Sequence, residues 1–276
     1  MRDAVAKSAR QTLFGITFLA AGGLYALPAM ADVVAACVPQ GAHEVDLTGQ
    51  DEDGLFQGAD GRRYMAVDLS PFDAPATHTG LERRWIAVAA GPANRWGMVP
   101  AWILTSEGEE TRLHQAEALL QGVAVFSPGE AAGACADLLR SAEGTARQKR
   151  AGLWSDPSEA GPFATYAPKS FQGEAGAYVV ARGRIVSLGK TSATRYLNFG
   201  RHWKTDLTVT LKSSDEDKFN DVLGATGWMI EDLAGRTVEV RGLLEERDGP
   251  YIALRHPEQL IVIEGKRAGR GGQYSN

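Results

Sequence analysis

The stretch RWIAVAAGPANRWGMVPAWIL, residues 84–104, decides the fold class of this chain. Its first part, residues 84–89, carries Trp, Ile and Val, Gly91-Pro92 marks a turn, and residues 96–104 supply a second apolar run. Two such runs around a turn predict a pair of antiparallel strands. Upstream, Asp60-Gly61 lies between two apolar segments and predicts a further hairpin. This part of the chain is therefore predicted to form a β-sheet.

The hydrophobic period becomes helical downstream of this sheet. Between residues 111 and 120 the apolar side chains share one helical face, and Gly122 supplies a stop. A second helix is predicted over 131–151, where basic residues crowd the last turn and complement the helix dipole. We therefore predict a β-rich α+β protein whose first domain, residues 32–156, carries two helices after its strands.

The second half of the chain predicts another small barrel. Pro157, Pro162 and Pro168 interrupt a stretch with little periodicity, which predicts a linker over 157–175. Five or six strands are predicted within 176–264, with one short helix between the third and the fourth. That is the order of an OB-type barrel, so two small OB-type barrels are expected. The Gly- and Arg-rich residues 265–276 predict a disordered tail.

The N-terminus has the pattern of an export signal. Three basic residues precede an uncharged apolar run over 13–27, and Ala29-Met30-Ala31 is a small-x-small cleavage site. We expect cleavage after Ala31, so that residues 1–31 are a signal peptide, and an uncleaved N-terminal anchor is the alternative. No second long apolar run follows, which predicts a soluble protein in the periplasm or the medium.

Charge and cysteine content narrow the function classes. The chain has 29 basic and 34 acidic residues, for a net charge of −5. This balance argues against indiscriminate nucleic-acid binding, so any such site must be local. Two cysteines behind an export signal predict one disulfide, Cys37–Cys135, tying an N-terminal strand to a later helix. Two buried free thiols are the alternative.

Five short motifs carry a resemblance to a known family. In chain order they are Asp60-Gly61-Arg62-Arg63, Phe72-Asp73-Ala74-Pro75, Asn94-Arg95-Trp96-Gly97, the AEALL run before Gly122, and the final RQKRAGLW of residues 147–154. Together they make residues 44–156 resemble the staphylococcal-nuclease family, itself an OB barrel with helices. Residues 176–264, marked by YLNFG at 196–200, resemble the OB-like segment often appended to such domains.

The resemblance implies a chemistry whose residues are mostly missing. The family uses carboxylates that hold Ca²⁺, a Glu that activates water and two arginines that neutralise the transition state. Here the arginine positions carry Asp68 and Met98, and the Glu position carries Ala76. Asp73 is retained, and Asp53 lies near the early metal position, so these two are the candidate metal ligands. We name no catalytic residue with assurance and expect conventional nuclease activity to be lost.

One local segment indicates a binding surface. Residues 182–204 hold six basic side chains and no acidic one, interleaved with aromatic rings. On an OB barrel such a segment is the usual face for single-stranded nucleic acid. Alternation places Leu197 and Phe199 inward and Tyr196 and Asn198 outward. The candidate binding residues are Arg184, Arg195, Tyr196, Asn198, Arg201, Trp203 and Lys204. Packing with ordinary surface charge is the alternative interpretation.

These sequence features leave three alternative functions. The first is a non-catalytic, exported binding module for single-stranded nucleic acid or for an envelope protein, with no cofactor. The second is a Ca²⁺-dependent phosphodiesterase with a rearranged site. The third is a structural envelope factor in which the barrels provide only stable edges.

Overall fold

The computed structural model describes residues 30–71, 83–108, 110–156, 161–167, 171–202 and 204–263. Among these residues, the first domain has three α-helices: α1 (Met30–Cys37), α2 (His114–Gln121) and α3 (Gly133–Lys149). The strands of this domain are β1 (Glu44–Gln50), β2 (Phe56–Gly58), β3 (Arg63–Ala66), β4 (Leu69–Pro71), β5 (Arg84–Ala89), β6 (Met98–Glu107), β7 (Glu110–Leu113) and β8 (Ala124–Phe126).

Five of these strands close a barrel. β1 pairs antiparallel with β2 and with β5, β2 pairs with β3, and β5 pairs with β6. The parallel pairing of β3 with β6, which sets Arg63 opposite Met98, completes the circuit. Phe56, Tyr64 and Ile103 are among the buried residues inside. The predicted α+β class and the closed barrel of the first domain are confirmed.

The helices pack on one side of this barrel and are joined by the predicted disulfide. Cys37 of α1 and Cys135 of α3 are bonded, with sulfurs 2.06 Å apart, which confirms the pairing. The expected N-terminal strand is wrong, because Cys37 ends a helix whose Val33 is buried in the core shared with α3. Helix α1 begins at Met30; the rest of the predicted signal peptide, residues 1–29, lies outside the described residues.

The helix predicted over 111–120 begins later than expected. Residues 111–113 belong to β7, which turns back on β6 through Gly108 at φ +63°. The pairing with β6 holds these residues extended, so α2 starts at His114. The predicted stop is confirmed, since Gly122 takes the left-handed conformation that ends α2.

The second domain is built from eight strands and one helix among the residues described. The helix α4 (Glu216–Gly224) lies between the fifth and sixth of these strands in sequence. The strands are β9 (Phe163–Ala164), β10 (Tyr178–Arg184), β11 (Ser187–Lys190), β12 (Thr194–Asn198), β13 (Thr208–Lys212), β14 (Thr237–Glu246), β15 (Pro250–Ala253) and β16 (Leu260–Val262).

The sheet of the second domain returns on itself through a bent strand. β11, β12 and β13 pair in order, β15 joins β13 in parallel, and β14 links β15 to β10. Between β10 and β11 the Ile185 N–H donates to Arg236, whereas the Val186 N–H donates to Asn198. The chain therefore passes from one edge of the sheet to the other at this point. The helix lies between β13 and β14, and the single strand expected over 178–188 is divided into β10 and β11, so that more strands precede the helix than the three expected.

The predicted linker is only partly a linker. Within 157–175, Phe163 lies in β9, which pairs parallel with β10, and both Phe163 and Phe171 are buried in the second core. The two phenylalanines lie within a proline-rich stretch, so their burial has no periodic signal. Residues 157–160 and 168–170 of this segment, and the predicted tail, lie outside the described residues.

The two domains meet across the outer face of β10 and β14. Val125 and Trp154 of the first domain share one apolar cluster with Val180 of β10. Arg147 of α3 reaches across to Glu239 of β14, with 2.9 Å between nitrogen and oxygen. The contact uses the outer surface of β10 and β14, whose alternate residues, such as Val179 and Val240, belong to the core of the second domain.

Candidate functional site

Asp68 is a structural anchor of the first domain. Its carboxylate accepts hydrogen bonds from the backbone N–H groups of Gly129, Glu130 and Ala131 at 2.9, 2.8 and 2.6 Å. The residue is 6 % exposed, and burial raises the pKa of its carboxyl above the usual value, against the opposing effect of the three donors. The side chain therefore holds the loop before α3.

The other residues that the resemblance singled out are not brought together by the described part of the structure. Met98 is half-buried at the start of β6, beside Arg63 of β3. Asp53 is exposed in a turn in which the Asp51 carboxylate accepts its backbone N–H. Asp73 and Ala76 lie outside the described residues. Within the part of the chain that the structure describes, no three His, Cys, Asp or Glu side chains are grouped as a metal site would require.

The outer face of the second barrel carries regular rows of small and aromatic side chains. Strand register aligns Ser187, Asn198, Thr208 and Tyr251 in one row across β11, β12, β13 and β15. A neighbouring row contains Gly189, Tyr196, Thr210 and Ala253. We call these eight residues the outer platform. The alternation predicted for β12 is confirmed: Leu197 and Phe199 are buried, and Tyr196 and Asn198 are half-buried on the opposite face.

Hydrogen bonds and ring contacts fix the outer platform. The hydroxyls of Thr210 and Tyr251 are hydrogen-bonded to each other, and the Asn198 amide donates to the Ser187 hydroxyl at 3.2 Å. The Arg247 guanidinium stands 4.6 Å from the centre of the Tyr251 ring. A cation is thus held directly over one of the two platform tyrosines.

Two grooves border the outer platform. One, of about 560 Å³, is lined in part by Thr194, Lys212, Tyr251 and Arg255. The other, of about 420 Å³, is lined in part by Asn198, Arg201 and Thr208. The exposed cations Lys212, Arg201 and Arg255 therefore lie at the rim of the face on which the tyrosines stand.

Arg195 occupies a different place from the one expected. It is 3 % exposed, and its guanidinium is paired with the carboxylates of Glu216, at 2.7 Å, and Glu231. Arg195 alternates in phase with Leu197 and Phe199, so it points to the inner face of β12, where the two acids neutralise it. The expectation that Arg195 contacts a ligand is therefore corrected, and Arg195 is left out of the outer platform.

The remaining predicted binding residues are dispersed. Arg184 is exposed, and its Nε donates to the Gly235 carbonyl at 3.0 Å, away from the outer platform rows. Arg201 and Lys204 are exposed in the segment after β12. Trp203 lies outside the described residues.

Sequence reasoning missed several residues of this face. Tyr251, Thr210 and Lys212 lie outside the basic segment 182–204 that guided the prediction. The signal that could have found Tyr251 is the hairpin at Asp248-Gly249, confirmed by positive φ at both residues. The hairpin leads into β15, whose second residue, Tyr251, comes one position before the buried Ile252.

Comparison with known proteins adds no family. No protein-family model matches the chain, and no similar curated protein was found. Among the described residues, no α-helix has both the length and the apolar character needed to span a bilayer.

Proposed function

We propose that this protein is an exported, non-catalytic binding module that holds single-stranded nucleic acid on the outer platform of its second barrel. One observation carries the proposal: Tyr196 and Tyr251 both lie on this sheet face, each next to a threonine on β13. Lys212 and Arg201 lie in the grooves that border the face. The module would act in the periplasm or outside the cell, which the export signal and the disulfide support.

The chemistry of the face suits unpaired bases. The Tyr196 ring provides a stacking partner that suits any base, and stacking is worth about 1–3 kcal/mol per base. The Tyr251 ring carries the Arg247 guanidinium over it, which adds a cation to the face. Because Gly189 and Ser187 are small, few side-chain atoms project from β11, and a flexible chain can lie across this strand. Cations at the rim would neutralise phosphates, which makes binding depend on salt. Because the whole chain is acidic, this local arrangement is what distinguishes the face.

The first barrel supports the non-catalytic part of the proposal. Asp68, at a family arginine position, is buried and bonded to three backbone donors, so it brings no positive charge to a phosphate. Met98, at the other arginine position, is apolar. Loss of one transition-state donor typically costs about 10²–10³ in rate, and both arginine positions are changed here.

The test is a binding titration with fluorescent oligothymidylate and oligouridylate, followed by anisotropy at low and moderate salt. We expect salt-dependent binding without cleavage, weakened about tenfold by Tyr196→Ala, the loss of one stacked base. Lys212→Ala should reduce both the affinity and its salt dependence. Tyr166→Ala is the matched control, because Tyr166 is 84 % exposed but belongs to a turn after β9.

The result also separates the other hypotheses. Equal affinity of the Tyr196→Ala and Tyr166→Ala variants, or no binding at all, would overturn the outer platform as a nucleic-acid site and favour an envelope protein as the ligand. Chelator-sensitive cleavage that Asp73→Ala abolishes would instead support a Ca²⁺-dependent phosphodiesterase.

A further inference from the structure

A rigid turn projects an exposed tryptophan from the first barrel. The turn between β5 and β6 is held by Asn94, whose side-chain oxygen accepts the N–H groups of Trp96 at 3.0 Å and of Met98 at 3.1 Å. Gly97 takes φ +76°, which this turn requires and which glycine adopts without strain. Trp96 is 60 % exposed although its backbone is fixed.

Three arginines lie on this turn or on the neighbouring chain segment that leads into β3. The Arg95 guanidinium lies 4.0 Å from the centre of the Trp96 ring. The parallel register of β3 and β6 sets Arg63 beside Met98, so the turn containing Arg62 lies next to Gly97. Arg62, Arg63 and Arg95 are all exposed. The nearby Asp60 is already engaged, by the Tyr64 hydroxyl at 2.7 Å and by Arg62 at 3.8 Å.

An exposed methionine extends the apolar part of this surface. Met65 is 37 % exposed, two residues along β3 from Arg63 and on the same face. We call Arg62, Arg63, Met65, Arg95 and Trp96 the first-barrel tip. It combines one large ring and one guanidinium group on the projecting turn with two guanidinium groups and one flexible apolar side chain at the start of β3.

We infer that the first-barrel tip docks on an anionic lipid surface, a function separate from nucleic-acid binding. Tryptophan is favoured at the headgroup level of a bilayer, and each arginine near an anionic leaflet strengthens attachment about fivefold. A protein partner is less well matched, because an aromatic side chain buries at most about 150–250 Å². A stable protein interface needs about 800 Å² per partner, and the tip offers only Trp96 and Met65 as apolar contacts.

The charge arrangement also matches this occupant. The chain as a whole is acidic and would be repelled by an anionic bilayer, so attachment requires a local cationic surface that presents its apolar group outward. At the tip the Arg95 guanidinium lies over the ring, and Arg63 stands on the neighbouring strand β3, opposite Met98. The arginines can therefore reach headgroup phosphates while the indole enters the interface between headgroups and acyl chains.

The experiment is vesicle co-sedimentation of the protein in the form that the expressing cell exports, with its N-terminal residue read by mass spectrometry. The vesicles are phosphatidylcholine alone and an equimolar phosphatidylcholine–phosphatidylglycerol mixture. We expect the protein to bind the vesicles that contain phosphatidylglycerol and not those of phosphatidylcholine. The affinity for the anionic vesicles should fall at least fivefold in Trp96→Ala and about twenty-fivefold in an Arg63→Ala/Arg95→Ala double variant. Brominated lipid should quench the fluorescence of the parent protein more than that of Trp96→Phe.

Three controls decide the outcome. Tyr166→Ala, which removes a more exposed ring elsewhere, should bind vesicles as the parent does. Thermal melting of each variant shows whether the fold is intact, which is expected because the altered side chains are exposed. Failure of the parent protein to bind anionic vesicles, or equal binding by Trp96→Ala, would overturn the inference. Loss of oligothymidylate binding in Trp96→Ala with vesicle binding unchanged would also overturn it and assign the tip to nucleic acid.

Discussion

Arg241 of the second barrel donates to the Glu143 carboxylate of helix α3 in the first, over 2.9 Å, and each side chain is 1 % exposed. The same guanidinium donates to Glu239 at 2.6 Å and to the Phe126 carbonyl at 2.9 Å. Arg147 binds both Glu143 and Glu239. Arg241 and the two carboxylates are therefore buried between the barrels, with the half-buried Arg147 at their edge, and each is compensated by opposite charges.

Arg241→Met should destabilise the protein and loosen the contact between its domains. The substitution leaves Glu143 and Glu239 buried with Arg147 as their remaining partner in this group, and removing one partner of a buried pair costs about 3–5 kcal/mol. Urea unfolding at neutral pH measures the loss. Arg84→Ala is the control, because Arg84 forms an exposed pair with Asp46 and its removal should change nothing measurable. Equal midpoints for the two variants would contradict the prediction.

The stability of this network should fall in acid. Burial raises the pKa of the Glu239 carboxyl, but the charges of Arg241 and Arg147 outweigh it, so the pKa lies below the usual 4.5. A carboxyl whose pKa is lower in the folded than in the unfolded protein stabilises the fold above the unfolded value. That contribution is lost as pH falls through the folded value.

The melting temperature should therefore decline as pH is lowered below 4.5, and Glu239→Gln should flatten that decline. Glu216 leaves a residual slope, because its hydrogen bond from Arg195 also lowers its pKa. Calorimetry across this range at constant ionic strength makes the measurement. An identical pH dependence in Glu239→Gln and the parent would show that the network does not titrate in this range.

Asp68→Ala should destabilise the first domain more than Asp68→Asn. Alanine removes all three hydrogen bonds to the loop 129–131 and must adopt φ +61°, for an expected loss of about 2–4 kcal/mol. Asparagine tolerates this backbone conformation and keeps one acceptor oxygen, so its loss should be smaller. Denaturant unfolding of both variants gives the order, and a larger loss for asparagine would refute the anchoring role.

Opening the disulfide should cost about 4–5 kcal/mol, because it closes a long loop whose two cysteines are 98 positions apart in sequence. The Cys37→Ser/Cys135→Ser double variant, which leaves no unpaired thiol, is compared with the parent in urea with and without reductant. Reductant should lower the parent to the stability of the variant and leave the variant unchanged. An unfolding midpoint of the parent protein that is the same with and without reductant would contradict the expectation.

Local patterns predicted the strands and turns because their causes are local. The turns at Asp60-Gly61 and Asp248-Gly249 need positive φ, which these residues supply wherever the chain places them. The helix stop at Gly122 has the same origin. The predicted first turn of the helix over 111–120 was wrong for a non-local reason, because residues 111–113 pair with β6 and are held extended.

The contact between the two barrels could not be predicted from the sequence. Glu239 and Arg241 lie on the outer face of β14, where alternation predicts solvated charges, and only the presence of the first domain buries them. Asp68 likewise bonds to residues more than sixty positions away. Arg195 is different: its phase with Leu197 already placed it inward, and the prediction gave more weight to its charge than to its position.

Arg195 and Tyr196 are adjacent residues on opposite faces of β12 and should separate stability from binding. Arg195→Met removes the partner of Glu216 and Glu231 and should cost about 1–3 kcal/mol of folding free energy. Measured on folded protein, its oligothymidylate affinity should equal that of the parent. Tyr196→Ala should show the reverse, with an unchanged unfolding midpoint and about tenfold weaker binding. Weaker binding by folded Arg195→Met would mean that the buried guanidinium reaches the ligand, and the assignment of the two faces of β12 would then be wrong.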